Sequence, residues 1–173
     1  SENVSSNKQL PKIFHTGDIV ANPIYHKDVI YIVSQSGFLA AFDVNKAQEL
    51  WTLPIGGNQT PTLSGETIFI NGNMGLLKAI DIISGKVRWT RKYPSYINKD
   101  SYFAEEKVAI YKGPTLIDSK ILFADQNGFI SILDANNGKT IDGLSVDKLA
   151  IAPIPVDKKV FLLTESGILL AYK

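Results

Sequence analysis

Three aspartates, Asp43, Asp81 and Asp134, stand at matching points of three similar segments, and regularly placed carboxylates are where acid–base or metal chemistry is first sought. Acid–base catalysis needs a carboxyl group within reach of a second titratable group, and a metal needs three or four converging ligands. Each aspartate is instead followed by a turn. In Asp81-Ile82-Ile83-Ser84-Gly85 the carboxylate can accept hydrogen bonds from backbone N–H groups two or three residues on, and Gly85 can take the left-handed conformation that closes the loop. His15 and His26, the only histidines, have no ligand-spaced partner and read as surface or strand-edge residues. Gly56-Gly57 lacks the following helix that a phosphate-binding loop requires and reads as a turn between repeats. Ser34, Ser36 and Ser64 have no nucleophile elbow or nearby base. With no cysteine in the chain, disulfides, thiolate metal sites and a cysteine nucleophile are excluded. No catalytic, cofactor-binding or metal-ligating residue is assigned.

A repeat accounts for the same residues. Pro23, Pro61, Pro114 and Pro153 are each followed fourteen residues later by Gly37, Gly75, Gly128 and Gly167. Six residues beyond each glycine stand Asp43, Asp81, Asp134 and Lys173. Eight beyond the first two aspartates come Trp51 and Trp89, where the third copy has Asp142. The runs VIYIVS, TIFING, KILFAD and KVFLLT precede the glycine, and FLAAFDV, LLKAIDI, FISILDA and ILLAYK follow it. Short, β-branched and aromatic, bounded by Gly, Asn and Asp, they predict strands rather than helices. They are apolar at consecutive positions, as in strands covered on both faces. A proline-led strand before and a tryptophan-bearing strand after bring each copy to four antiparallel strands, the pattern of a propeller blade.

The predicted fold class is therefore all-β, a β-propeller of four-stranded antiparallel blades with four blade equivalents, half of an eight-bladed propeller. The boundaries read as a flexible polar lead-in over 1–10 and an outer strand of a preceding or closing blade over 11–17. Blades follow over 18–55 and 56–93, then an insertion over 94–112, a blade over 113–146 and an incomplete last blade over 147–173. Sixteen blade strands are expected. The insertion reads either as a solvated loop with one short helix near 101–109, or as a recognition loop in which Tyr93, Tyr96, Tyr102 and Phe103 offer rigid contact area.

Eighteen basic and seventeen acidic residues leave a net charge of +1 with no block of like charge, so the field that gathers nucleic acid is missing. No apolar run approaches the ~20 residues of a transmembrane helix. The opening SENVSSNKQLPK lacks both the apolar core of a signal peptide and a lipid-accepting cysteine, so any export or lipid signal is expected upstream.

The pattern Ala-x-Asp-x-x-x-Gly-x-x-x-Trp resembles the quinoprotein-type (PQQ-like) repeat of eight-bladed propellers, a WD40-like architecture. Ala79, Asp81, Gly85 and Trp89 fit it in full, and Ala41, Asp43 and Trp51 fit with Ala47 in the glycine position. Asp134 and Gly138 fit with Ile132 in place of the alanine and no tryptophan. The resemblance implies that each tryptophan packs on the neighbouring blade's turn and that the alanine leaves it room. Quinone-dependent dehydrogenases of this kind hold a quinone and Ca²⁺ with a basic residue, a catalytic aspartate and often adjacent cysteines, and nothing here matches that set. Residues 18–173 are instead similar to the C-terminal half of the BamB family, lipoproteins of outer-membrane β-barrel assembly, including the ending ESGILLAYK.

That resemblance implies a non-catalytic scaffold without a cofactor, at the periplasmic face of the outer membrane. It would dock on periplasmic domains of the barrel-inserting subunit through inter-blade loops. One such loop is HTGDIVANP, in which Asp18 matches an acidic contact position and Val20 stands where a second acidic residue is expected. Asp18 as a plain solvated carboxylate remains the competing reading. The alternatives for the whole chain are a fragment of a quinone-dependent dehydrogenase and a generic extracytoplasmic protein-interaction propeller. A half-propeller has an apolar blade face at each end, to be covered by an N-terminal half, by a second copy, or by closure into a four-bladed ring.

Overall fold

A computed structural model describes residues 19, 21–94, 96–97 and 107–173. Its first sheet is a meander of β1 (Ile24–His26), β2 (Val29–Val33), β3 (Leu39–Asp43) and β4 (Gln48–Leu53), in the order β1-β2-β3-β4. The second repeats it with β5 (Thr62–Ser64), β6 (Thr67–Gly72), β7 (Leu76–Asp81) and β8 (Val87–Lys92). A two-stranded ribbon of β9 (Tyr96–Ile97) and β10 (Lys107–Val108) follows. The third sheet holds β11 (Tyr111–Ile117), β12 (Lys120–Asp125), β13 (Phe129–Asp134) and β14 (Thr140–Ser145), and the fourth β15 (Ile154–Val156), β16 (Lys159–Leu163) and β17 (Leu169–Tyr172). All these pairings are antiparallel.

The expected propeller architecture is present as an arc of blades. Fifteen of the sixteen expected blade strands are among the described residues. The remaining one, over 11–17, lies outside them. Of the expected helix near 101–109, residues 101–106 lie outside the described residues, and the rest is corrected: Lys107–Val108 is a strand paired with Tyr96–Ile97. The third blade's first strand also starts at Tyr111, inside the range read as insertion.

Burial follows strand position. In the second and third sheets the second strands are buried at consecutive positions, as in β6 and β12, because a neighbouring sheet covers each face; β3 of the first sheet is buried in the same way. Outer strands are more exposed, and β4 alternates residue by residue. Three apolar clusters fill the gaps between consecutive sheets. The first joins Tyr31, Leu39 and Ala41 to Ile68, Ile70 and Ile80. The second joins Phe69, Leu77 and Ala79 to Ile121, Phe123 and Leu133. The third joins Leu122, Ala124 and Ile130 to Val160 and Leu162.

Candidate partner-binding surface

The repeat aspartates are occupied by their own turns. Asp43 Oδ1 accepts from the backbone N–H groups of Asn45 and Lys46 at 3.0 and 2.9 Å, and Asp134 Oδ1 accepts from Asn136 N at 2.7 Å. Asp81 Oδ1 accepts from Ile83 N (3.1 Å), Ser84 N (2.8 Å) and Ser84 Oγ (2.8 Å), while Oδ2 takes Arg88 Nη2 at 2.6 Å. The Ser84 N–H first, and then Arg88, hold this carboxyl well below the usual carboxylate range, because every donor favours the charged form. Asp43 is lowered in the same direction, chiefly by the Lys46 N–H.

Each tryptophan reaches the next blade's turn. Trp51 Nε1 donates to Ile82 O at 3.0 Å and Trp89 Nε1 to Ala135 O at 2.9 Å. A Cβ on Gly85 would lie 2.9 Å from the Trp51 ring, and one on Gly138 2.6 Å from the Trp89 ring, so these glycines are seats for the indoles. Within their own sheets Trp51 and Trp89 pair across strands with Ala41 and Ala79, both fully buried. In the third sheet Ile132 pairs instead with Asp142.

A four-strand meander sorts its loops onto two rims. The aspartate turns share one rim with the first hairpin turns, tied by Val44 N to Asp28 O, Ile82 N to Glu66 O and Ala135 N to Ser119 O. The turns between second and third strands share the other rim with the connections between blades, tied by Gly57 N to Ser34 O, Asn73 N to Gly56 O and Tyr93 N to Gly75 O. Gly56-Gly57 belongs to that second rim. Added Cβ atoms there would lie 2.7 Å from Gly37 Cα and 2.6 Å from Asn71 O, a close approach that local sequence does not reveal. Ser34 and Ser36 share a 2.6 Å hydroxyl contact in the first of its turns.

The sequence-predicted contact residues fall unevenly. Asp18, Val20, Tyr102 and Phe103 lie outside the described residues, as does His15, and of Tyr96 only the strand position is described. The described parts nearest the strands, residues 21–22 before Pro23 and 93–94 after Lys92, lie on the second rim. Ala21 in the first of them is buried in the first cluster, and Asn22 N donates to Thr60 Oγ1 at 3.3 Å. Tyr93 is packed inward rather than presented as open contact area. Its ring meets Phe123 at 4.9 Å and Tyr111 at 5.6 Å, and burial raises its pKa. Its hydroxyl is buried without a hydrogen-bond partner among the described residues, as is His26 Nε2.

Beside Tyr93 lies a cavity of about 200 Å³ that sequence reasoning missed, bounded by Pro94, Ile110, Tyr111, Asp125 and Phe129. Tyr111 Oη donates to Pro94 O at 2.8 Å, and Asp125 Oδ1 accepts from Asn127 N and Phe129 N at 2.8 and 3.0 Å. The cavity is aromatic with one turn-held carboxylate, which suits contact with a side chain better than acid–base chemistry. Among the described residues no group of three His, Asp or Glu is placed to hold a metal, and no helix is long and apolar enough to cross a membrane.

Fold and repeat define a propeller of the PQQ-like class. The family model described as outer membrane protein assembly factor BamB matches residues 1–91, and the chain belongs to that family. It is 26% identical to the outer membrane protein assembly factor BamB of Aliivibrio fischeri, over 93% of this chain and 52% of that protein. The crystal structure of BamB from Moraxella catarrhalis superposes with a TM-score of 0.74 at 17% identity, over 90% of this chain and 43% of that one. A quinohemoprotein alcohol dehydrogenase from Comamonas testosteroni superposes less well, at a TM-score of 0.55 and 16% identity, over 73% of this chain and 21% of that one. The chain spans about half the length of the curated relatives it matches.

Proposed function

We propose that the chain acts as a non-catalytic scaffold in outer-membrane β-barrel protein assembly, on the periplasmic side of that membrane. It binds periplasmic domains of the barrel-inserting subunit through loops between blades. The observation that carries this reading is the likeness, along more than nine-tenths of the chain, to proteins named as outer membrane protein assembly factors. Geometry supports it. The second rim carries the connections between blades and the aromatic cavity at Tyr93, an exposed surface of the kind a protein partner would engage. Each repeat aspartate has one carboxylate oxygen committed to turn N–H groups, which suits support rather than proton transfer.

The test is a calorimetric titration of the chain with the periplasmic domains of its own organism's barrel-inserting subunit. Saturable binding is expected, weakened about tenfold or more by Asp18→Lys, since reversing a contact charge turns attraction into repulsion. Absence of heat at about 100 μM, where a 1 μM complex is saturated, sinks the loop-docking reading. A parallel titration with pyrroloquinoline quinone and Ca²⁺ should be flat. Saturable quinone binding with dye reduction would move the assignment to the dehydrogenase branch.

A further inference from the structure

The cavity beside Tyr93 has walls of two kinds, aromatic rings and a carboxylate. Three rings form a cluster on one side: Tyr111 stacks on Phe123 at 5.0 Å and 10°, and Tyr93 meets Phe123 at 4.9 Å. At the opening stand Phe129, 45% exposed, and Ile110, 57% exposed. Phe129 is held in place. A Cβ added to Gly143 would lie 2.5 Å from its Cζ, so the ring rests on the backbone of β14, and its N–H donates to Asp125 Oδ1 at 3.0 Å. Large apolar side chains fixed at a solvent opening offer contact area that the core does not use.

One charge lies among these rings. Asp125 Oδ1 is occupied by the N–H groups of Asn127 and Phe129, whereas among the described residues Oδ2 has no hydrogen bond and the carboxylate no ion pair. After burial, the Asp125 charge is the next cause that raises the Tyr111 pKa, so the carboxylate stands close to the aromatic wall. Aromatic faces and a carboxylate both attract a cation. A guanidinium suits the pair better than an ammonium, because it is flat, weakly hydrated and stacks on rings. Across Ile110 and Tyr111 lies a smaller cavity of about 130 Å³ with Asn58, Asn71 and Asn73 in its wall. The Asn71 and Asn73 amide nitrogens donate to Tyr111 O and Gln35 O at 3.4 and 3.0 Å, which leaves their amide oxygens as acceptors for backbone N–H groups. Such neighbours favour a polypeptide over a free amine.

We propose that this cavity receives an arginine side chain of a protein partner, its guanidinium lying on the aromatic wall and donating to Asp125 Oδ2, with the flanking peptide backbone beside Asn71 and Asn73. The volume, about 200 Å³, is below the ~300–1,000 Å³ of small-molecule pockets and matches a single side chain. Which protein brings the arginine rests on the scaffold reading above. The recognition chemistry stands without it.

The test is a nuclear magnetic resonance titration of the nitrogen-15-labelled chain with the tripeptide acetyl-Gly-Arg-Gly-amide. For one anchored side chain, affinity on the order of millimolar is expected, with shifts centred on the amides of Ile110, Asn127 and Phe129. The citrulline tripeptide, of the same shape without the charge, should bind at least about tenfold more weakly, and the lysine tripeptide about threefold. Asp125→Asn keeps the Oδ1 acceptor of its turn, and should lose about tenfold for the arginine peptide and nothing for the citrulline one. Phe129→Ala, at an exposed position, keeps the fold, which circular dichroism verifies, and should lose about fivefold. No shift at about 50 mM peptide, where a millimolar site is saturated, overturns the proposal. So do equal binding of arginine and citrulline peptides, tighter binding of lysine, shifts centred elsewhere, or indifference to Asp125→Asn. Arginine binding here without heat from the barrel-inserting subunit's domains upholds the site and discards that partner; heat without arginine binding upholds the scaffold reading and discards the site.

Discussion

At Ala47 the first repeat turn does with an alanine what Gly85 and Gly138 do in the next two, holding φ at +50° where the glycines stand at +69° and +68°. A left-handed alanine is strained and glycine is not. Ala47→Gly should therefore raise stability by roughly 0.5–1 kcal/mol in urea unfolding, after the extra freedom glycine gives the unfolded chain is discounted. The reverse exchange at Gly85 meets a second obstacle, the Trp51 ring 2.9 Å from the new Cβ. Gly85→Ala should cost about 2–3 kcal/mol by the same measurement. Asp81 sets a pH dependence. Its folded carboxyl releases its proton more readily than the unfolded one, so its contribution is complete above the unfolded value and lost as pH falls towards the folded one. Unfolding curves should show stability dropping below about pH 4, with a shallower slope in Asp81→Asn. The aspartates and glycines of these turns were legible because each motif acts within a few residues. The indole that Gly85 seats lies thirty-four positions away in sequence, and no local pattern gives that distance.

Between elements, the tryptophans couple one sheet to the next through ring packing and one hydrogen bond each. Trp89 rests on Gly138, meets Phe69 at 5.9 Å and donates to Ala135 O. Trp89→Ala should destabilise by about 2–4 kcal/mol, the lower part of the range for large aromatics because the ring is half-buried. Trp89→Phe keeps a ring but leaves the Ala135 carbonyl without its donor, and should lose about 1–2 kcal/mol in the same denaturation series. Where the helix expectation is corrected, at Lys107–Val108, the reason is nonlocal pairing. The run before Val108 contains good helix formers, yet Lys107–Val108 pairs with Tyr96–Ile97, and intrinsic propensity is too weak to decide against a partner strand.

Across the whole molecule, protection should follow the number of covered faces. The second and third sheets have neighbours on both sides, and their strands β6, β7 and β12 contain residues with no exposure at all. Among the described residues the fourth sheet is packed on one face, and its last strand pairs only with β16. Native-state hydrogen exchange should show β6 and β12 slowest and β17 fastest, by a factor of about ten or more. Equal protection across all four sheets would mean that the arc unfolds as a single unit.

The sequence by itself determined the strands, the turn types and the blade period, because these follow from side-chain pattern and backbone preference over a few neighbouring residues. It also placed Trp51 and Trp89 at corresponding points of their repeats. Only the tertiary structure decided which sheet each indole touches, why Gly56-Gly57 tolerates no side chain, and that Tyr93 belongs to an aromatic cluster beside a cavity. The same holds for the exposure of Leu169 on the last strand. Those features depend on distances between residues far apart along the chain, and such distances are fixed only when the sheets pack.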